Sequence, residues 1–315
     1  MRKSLLLLLL LCISFTYSQV SATMKSFEKA EITINPLLNG SLYTPLKQSK
    51  KVALVILIAG SGPTDRDGNQ KGMTNNSLQY LAEDLAKNNI AAFSYDKRII
   101  AQMASGTINE ATLSFDDFIN DAKDVFNYFK NQKKYNKIII AGHSEGSLIG
   151  MIAANNNADA YISLAGAGRT IDAVLVEQIE KQAPFLKEEV QKNLEILKSG
   201  KTFELKNEML ASIFRPSVQP YMISWIKYNP QDEIKKLKIP TLLINGTKDL
   251  QVSVFDAELL KKSKPDAKLV VIDNMNHVFK EIKGDHAENM KSYNNPDLPV
   301  SAKLISTITF FIKSL

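Results

Sequence analysis

Residues 137–150 have the sequence KIIIAGHSEGSLIG, and this stretch decides the fold that we predict. Residues 138–141 form a short apolar run rich in β-branched side chains, which predicts a buried parallel strand. The pattern Gly-x-Ser-x-Gly follows at residues 142–146, and the small apolar residues 147–154 predict a helix packed closely on a sheet. A strand, a sharp turn and a helix in this order predict a nucleophile elbow, which exposes the Ser144 hydroxyl above the carboxyl edge of the sheet.

Glycine is needed at both Gly142 and Gly146 of this pentapeptide for a steric reason. The serine of an elbow sits in a strained backbone conformation, and side chains on its neighbours would clash across the turn. The pentapeptide alone is frequent by chance, but the flanking strand and helix make it a specific signal.

Strand and helix patterns alternate along most of the chain. Its 315 residues, 44% of them hydrophobic and 23% charged, are typical of a globular protein with a sizeable core. The alternation predicts an α/β fold with a doubly wound, mostly parallel sheet. Asn39-Gly40 predicts the turn of a leading hairpin. The other predicted strands are 31–34, 41–43, 52–58, 91–95, 161–165, 241–245 and 268–272. The other predicted helices are 76–89, 115–129, 255–262 and 301–313.

The alternation stops after residue 169, where a helical pattern interrupted by prolines begins. A helical insertion between two strands lies over the carboxyl edge of a doubly wound sheet, where ligands bind. We therefore divide the chain into a signal peptide (1–18), the first part of the core (19–169), a helical cap (170–235) and the second part of the core (236–315).

The first 18 residues have the pattern of a signal peptide. Arg2 and Lys3 precede the apolar residues 5–13, a stretch too short to span a bilayer comfortably. Thr16 and Ser18 are small enough for the cleavage signal, whereas an uncleaved anchor is the alternative. We expect an exported protein, periplasmic or secreted, with no stable membrane insertion after cleavage.

Composition excludes several kinds of partner. Cys12 is the only cysteine and lies in the predicted signal peptide, which excludes disulfides and cysteine metal sites from the mature chain. The formal charge of +6 is spread over mixed lysines and acids, as on a solvated surface rather than a nucleic-acid stripe. The glycine-rich residues 60–69 lack the spacing of a phosphate loop or a calcium loop. We predict no cofactor, no metal and no nucleic acid, and the oligomeric state stays open.

A serine nucleophile needs an adjacent base that is oriented by a third group. The chain has three histidines. His277 follows the last predicted strand, so we expect it at the same sheet edge as Ser144 and predict it as the base. The elbow geometry points His143 away from the working side of the serine, which predicts a structural role. His286 lies among charged residues and is expected at the surface.

Two aspartates can supply the orienting acid. Asp249 follows the strand 241–245 and leaves room for one helix and one strand before His277. Asp273 directly ends the last strand and is expected to cap a turn. We favour Asp249, because the acid should follow an earlier strand, and the chain order serine, acid, histidine is the one that accompanies a nucleophile elbow with His277 as base.

Two backbone N–H groups should stabilise the oxyanion that forms during attack by Ser144. One donor is expected at Glu145, the residue after the nucleophile. The other is expected at Ser61 or Gly62, in the glycine-rich loop. Residues 65–67 of this loop are charged, and we predict that they form ion pairs with the end of the next strand; a solvated loop is the alternative.

The predicted cap contains the only tryptophan of the chain, Trp225. Most aromatic side chains in such an insertion form its own core. Pro216 and Pro220 interrupt helical structure just before residues 221–228, so this cluster is the better candidate for lining an acyl pocket. We predict Tyr221 and Trp225 as substrate-binding residues.

With these motifs, the chain resembles members of the α/β-hydrolase superfamily over essentially all of the mature sequence. More narrowly, the chain is similar to bacterial secreted esterases and serine aminopeptidase-like hydrolases. That branch carries GSGPxDRDGN, YDKRG and NHxxK, which stand here at residues 60–69, 95–98 and 276–280. Ile99 replaces the glycine of the second motif, and this departure concerns one wall of the predicted pocket.

The resemblance implies Ser144 as nucleophile, Asp249 as acid and His277 as base. It also implies hydrolysis of carboxylic esters, although fold alone fixes a substrate poorly. We expect a serine hydrolase that cleaves small-molecule esters with short acyl chains through an acyl-enzyme. The alternatives are a peptidase or acyltransferase with the same triad, and a non-catalytic binding module on this fold.

Overall fold

The computed structural model describes residues 26–46, 50–155 and 157–315, and the predicted signal peptide lies outside these residues. The described chain forms an eight-stranded sheet in the order β1-β2-β4-β3-β5-β6-β7-β8. The strands are β1 (Phe27–Asn35), β2 (Leu38–Pro45), β3 (Leu54–Ile58), β4 (Ala91–Tyr95), β5 (Ile138–His143), β6 (Ala160–Leu164), β7 (Thr241–Gly246) and β8 (Lys268–Ile272). β2 runs antiparallel to β1 and β4, and the pairs from β4 to β8 are parallel. The predicted α/β fold class is confirmed.

Helices cover the sheet and fill the long connection between β6 and β7. The helices are α1 (Ser77–Lys87), α2 (Arg98–Ala104), α3 (Phe115–Gln132), α4 (Glu145–Ala154), α5 (Ile171–Gln182), α6 (Lys187–Lys198), α7 (Ala211–Phe214), α8 (Gln219–Ile226), α9 (Pro230–Lys236), α10 (Val254–Ser263), α11 (His286–Ser292) and α12 (Ala302–Lys313). The helices α5 to α9 follow one another in the segment that we predicted to be helical. Its treatment as a separate cap stays a prediction.

Both faces of the central strands β3 to β7 are buried. Alternate residues of β3 belong to two core clusters: Leu54 and Ile56 pack on the side of α3 and α4, and Val55 and Leu57 on the side of α1 and α12. This explains why the central strands are continuous apolar runs rather than alternating ones. The covered sheet fixes the loops at its carboxyl edge, where Ser144 lies.

The predicted turn at Asn39-Gly40 is wrong, because both residues lie inside β2. The turn lies just before, and the Asn35 side-chain oxygen accepts a hydrogen bond from the Leu37 amide at 2.9 Å. Gly40 serves a different purpose: a Cβ there would stand 2.4 Å from the Phe93 ring. Close packing against a neighbouring strand therefore requires this glycine, which imitates a turn signal in the sequence.

Lys280 is a buried lysine near the carboxyl end of the sheet. Its side chain is 0% exposed, donates a hydrogen bond to the Leu298 carbonyl and lies 4.8 Å from the centroid of the Tyr80 ring. Burial lowers the pKa of Lys280 to about 8, because the ammonium loses its hydration in these surroundings.

We expect Lys280 to make the protein more stable as the pH rises from about 8 to 10.5. In this window the unfolded chain keeps the proton that the folded chain has lost, so the free energy of unfolding increases with pH. One pKa unit corresponds to about 1.4 kcal/mol, which sets an upper limit of about 3 kcal/mol for the whole window. Urea unfolding of the wild type and Lys280→Met from pH 7 to 10 should show a difference that grows in favour of the wild type. If the free energies of unfolding of the two proteins change with pH in parallel, Lys280 is not the cause of the pH dependence.

Candidate active site

Ser144 lies at the sharp turn between β5 and α4, with φ 54° and ψ −121°. This is the strained conformation expected of an elbow serine. The flanking glycines are required by contact: a Cβ on Gly142 would stand 1.9 Å from the Gly146 carbonyl oxygen, and one on Gly146 would stand 2.5 Å from the Ala59 oxygen. The local sequence therefore folds as predicted, with the serine held above the end of β5.

The structure brings His277 and Asp249 together. The His277 Nδ1 lies 2.8 Å from the Asp249 Oδ2, and the two side chains are 3% and 0% exposed. The other carboxylate oxygen accepts the backbone amides of Gln251 and Val252 at 2.8 and 2.9 Å. Because a carboxylate only accepts hydrogen bonds, Nδ1 carries the proton and Nε2 is left free to accept one.

The rival acid, Asp273, is exposed at the end of β8. It ends the strand as expected, and its chain neighbour Asn274 has φ 60° in the turn that follows. The contact with the imidazole belongs to Asp249 instead.

His143 is buried and supports the loop that carries His277. Its Nε2 donates to the His277 carbonyl oxygen at 2.9 Å, and the two rings lie 4.7 Å apart. Burial is the main cause that holds the pKa of His143 well below its usual value, so this imidazole stays neutral and binds a proton only weakly. His286 is exposed at the start of α11, as predicted.

A buried amide network, which the sequence analysis missed, joins the loops of the predicted acid and base. The Asn276 Nδ2 donates to the Asn289 Oδ1 at 3.0 Å and to the Ser292 hydroxyl at 2.7 Å. The Asn289 Nδ2 donates to the Lys248 carbonyl oxygen at 2.7 Å. Lys248 and Asn276 directly precede Asp249 and His277, so the network fixes the spacing of these loops. The NHxxK motif, which places Asn276 next to His277, was the sequence signal that could have indicated this network.

The glycine-rich loop lies against the nucleophile. A Cβ on Gly60 would stand 3.2 Å from the Cβ of Ser144. The Ser61 carbonyl accepts hydrogen bonds from the Thr64 hydroxyl at 2.8 Å and the Gln70 amide at 2.7 Å, which hold the loop in shape. The predicted oxyanion residues Ser61, Gly62 and Glu145 line the same cavity as Ser144. Their roles as donors stay predictions.

The ion pair predicted between residues 65–67 and the end of β4 is confirmed for Arg66. The Arg66 amide donates to the Asp96 Oδ1 at 2.8 Å, and its guanidinium pairs with the same carboxylate and with Glu31. The Arg66 carbonyl accepts from the Ser94 hydroxyl at 2.5 Å. The loop is thus tied to two neighbouring strands rather than free in solvent.

An apolar cavity of about 400 Å³ opens over Ser144. Tyr221 and Trp225 of α8 line it, as predicted. Ile99, which replaces the glycine of the YDKRG motif, lines it as well. Trp225 stacks on Phe115 with ring centroids 5.4 Å apart. Further apolar lining residues are Leu113, Phe118, Leu148, Val174, Leu175, Ile213, Val218 and Met222.

Glu145 accepts two hydrogen bonds at the base of this cavity. The Tyr221 hydroxyl donates to its carboxylate, and the Lys97 ammonium lies 3.1 Å from the same oxygen. Burial and the neighbouring carboxylate raise the pKa of Tyr221 well above its usual value, so the phenol stays a donor. The sequence led us to expect that the charges at the end of β4, Lys97 among them, pair with residues 65–67; Lys97 pairs with Glu145 instead.

The described ranges contain no helix with both the length and the apolar content needed to cross a membrane. The same ranges contain no group of three or more histidine, cysteine or acidic side chains placed to hold a metal ion.

The chain is similar in sequence to known hydrolases. A sequence model of the family described as serine aminopeptidase, S33, matches residues 71–215. The esterase EstD of Thermotoga maritima is 30% identical over 261 residues, which cover 81% of this chain. The chain spans 61% of the length of EstD.

Solved structures share the fold. Est1E from Butyrivibrio proteoclasticus matches with a TM-score of 0.57 at 18% identity, covering 91% of this chain and 99% of that one. The Pyrococcus furiosus esterase Pf2001 matches with a TM-score of 0.53 at 16% identity, covering 91% of each chain. The sheet, the elbow and these matches confirm the predicted fold: the chain has the α/β-hydrolase fold, as the resemblance implied.

Proposed function

We propose that this protein is a serine hydrolase that cleaves carboxylic esters, with Ser144 as nucleophile, His277 as base and Asp249 as acid. The observation that carries the proposal is the buried hydrogen bond between Asp249 and His277 Nδ1, in a fold that holds Ser144 on an elbow. This bond selects the tautomer in which Nε2 can accept a proton. The similarity to EstD, an esterase by name, supports the same reaction class.

The proposed reaction uses these three residues in turn. The Ser144 hydroxyl attacks the ester carbonyl carbon while His277 Nε2 takes its proton. The carbonyl oxygen becomes negative and accepts hydrogen bonds from the Glu145 amide and from that of Ser61 or Gly62. His277 returns the proton to the leaving alcohol, and an acyl-enzyme forms. Water, deprotonated by the same imidazole, releases the acid.

The cavity favours an uncharged substrate with a short acyl chain. Its volume of about 400 Å³ and its mainly apolar lining suit a small ester. Each charged side chain among its described lining residues has a partner of opposite charge; the pairs are Lys97–Glu145, Arg215–Glu110 and Arg169–Asp256. A charged substrate would therefore lose hydration without gaining a free counter-charge.

A serine aminopeptidase is the second candidate, because the matching family model carries that description. Such an enzyme needs a carboxylate that is free to bind the substrate ammonium group. Glu110 and Glu145 are the carboxylates among the described lining residues, and Arg215 and Lys97 already engage them. This favours ester hydrolysis over aminopeptidase activity.

Side-by-side assays separate these functions. The protein without residues 1–18 should hydrolyse p-nitrophenyl acetate and butyrate, and it should leave amino-acid p-nitroanilides intact. Faster cleavage of the anilides would replace the proposal with the aminopeptidase. Failure on both substrates, together with no labelling by a fluorophosphonate, would point to a non-catalytic binding module.

We also propose export to the periplasm or the medium, from the signal-peptide pattern of residues 1–18. Expression of the full chain, followed by fractionation and N-terminal sequencing, tests this. A mature N-terminus at Gln19 outside the cytoplasm is the expected result, and an intact Met1 in the cytoplasmic fraction would contradict it.

Trp225→Ala should shift substrate preference toward longer acyl chains. Trp225 lines the cavity, and its removal leaves room for added methylene groups, each worth about 0.8 kcal/mol when buried. We expect the ratio of kcat/KM for hexanoate over acetate to rise by roughly threefold or more per accommodated methylene.

Phe185→Ala is the matched control, because Phe185 belongs to the same connection and is 72% exposed. It should leave the ratio unchanged. A uniform loss on all esters in Trp225→Ala would show that this side chain does not limit the acyl pocket.

A further inference from the structure

The Lys97–Glu145 ion pair has no part in the steps proposed above. The two side chains are 4% and 1% exposed, with 3.1 Å between the ammonium nitrogen and the carboxylate oxygen. Burying two charges in this way is weak as a source of stability, because apolar residues of similar volume often stabilise a protein equally well. The position of the pair at the base of the cavity points to another role.

The ammonium makes a second contact, to the loop beside the nucleophile. The Lys97 Nζ donates to the Gly60 carbonyl oxygen at 3.1 Å. The Gly60 carbonyl and the Ser61 N–H belong to one planar peptide unit and point in opposite directions in the trans form. A hydrogen bond that fixes the carbonyl therefore also fixes the direction of the Ser61 N–H.

The carboxylate of the pair belongs to the other predicted donor. Glu145 follows Ser144, and its own amide is the second N–H expected to face the oxyanion. Its side chain is held by Lys97 and by the Tyr221 hydroxyl. One ammonium thus touches both segments from which the oxyanion hole is expected to form.

We propose that Lys97 is a positioning residue for the oxyanion hole. It holds the Gly60–Ser61 peptide against the start of α4, so that the amides of Ser61 and Glu145 converge on the same oxygen. This inference rests on the proposed function, and it selects Ser61 over Gly62 as the donor of the loop. Lys97 does not touch the reacting atoms; it acts through the two backbone segments.

The test measures transition-state stabilisation in Lys97→Met, which keeps the apolar stem and removes the ammonium. We expect kcat for p-nitrophenyl acetate to fall about tenfold to a hundredfold. This fall is no larger than the one caused by removing a whole oxyanion donor. KM should change less than twofold. Affinity for a boronic acid, which forms a tetrahedral adduct with the nucleophile, should fall in parallel with kcat. An unchanged kcat beside an active wild type would overturn this inference and leave the proposed function standing.

Lys264→Met is the matched control for loss of a buried lysine. Lys264 is 5% exposed, donates to the Leu237 carbonyl at 3.0 Å and pairs with Asp266, yet it does not line the cavity. Its removal should alter the unfolding midpoint and leave kcat and boronic-acid affinity at wild-type values. Equal kinetic losses in both variants would mean that general destabilisation explains the effect.

A second test, made in the Glu145→Gln variant, separates positioning of the backbone by Lys97 from neutralisation of the Glu145 charge. In Glu145→Gln the carboxylate charge is gone, so Lys97 has no charge left to neutralise there. Adding Lys97→Met to this variant should still lower kcat about tenfold or more, because the Gly60 carbonyl still loses its donor. If the effect of Lys97→Met disappears in the Glu145→Gln background, neutralisation of Glu145 was its whole role and the inference fails.

Discussion

Ser144→Ala should lose at least about 10³-fold in kcat for p-nitrophenyl esters, because removal of the nucleophile leaves only binding and oxyanion stabilisation. The change deletes one half-buried hydroxyl at the elbow, so the circular dichroism spectrum and the unfolding midpoint should stay close to the wild type. Steady-state kinetics with the same esters measures the loss.

Ser147→Ala provides a matched control one helical turn away. The Ser147 hydroxyl is buried and hydrogen-bonds to Tyr161 and Ser163 at 2.8 Å, and Ser147 is not among the residues that line the cavity. Its loss should lower the free energy of unfolding by about 1–3 kcal/mol and preserve turnover. Near-normal turnover by Ser144→Ala would remove this serine from the mechanism.

The second large effect is expected for Asp249→Asn, with a loss of roughly 10⁴-fold in kcat. An asparagine oxygen can keep the amides of Gln251 and Val252, so the loop should hold its shape. The amide nitrogen would then face His277 Nδ1 as a donor, which favours the tautomer with the proton on Nε2 and prevents it from acting as a base.

Asp273→Asn is the comparison for this prediction, because Asp273 is the acid that the sequence alone offered as a rival. It is exposed, and its replacement should leave kcat within about twofold. Kinetics of both variants at pH 7 decide the assignment. A larger loss for Asp273→Asn would contradict the role of Asp249.

The predictions that agree with the structure rest on local signals. The strand before Ser144, the two glycines and the small-residue helix after them specify the elbow within 17 residues of chain, because each residue there acts on its immediate neighbours. The contact between Asp249 and His277 could be predicted because both residues follow parallel strands, which end at the same edge of a sheet.

The features that were missed depend on contacts distant in sequence. Gly40 was interpreted as a turn residue, because nothing near it reveals the Phe93 ring on the adjacent strand. The pairing of Lys97 with Glu145 joins residues 48 positions apart, and the Asn289 bridge to Lys248 spans 41. In each case a polar or small residue has several local interpretations, and only the packed fold selects one.

The central claim is that Ser144 is activated by the imidazole of His277. Its most direct measurement is labelling by a fluorophosphonate, followed by mass spectrometry of the tryptic peptides. One adduct on Ser144 is the predicted result, absent from Ser144→Ala and formed far more slowly in His277→Ala. A protein that stays unlabelled, or an adduct on a different serine, would contradict the account.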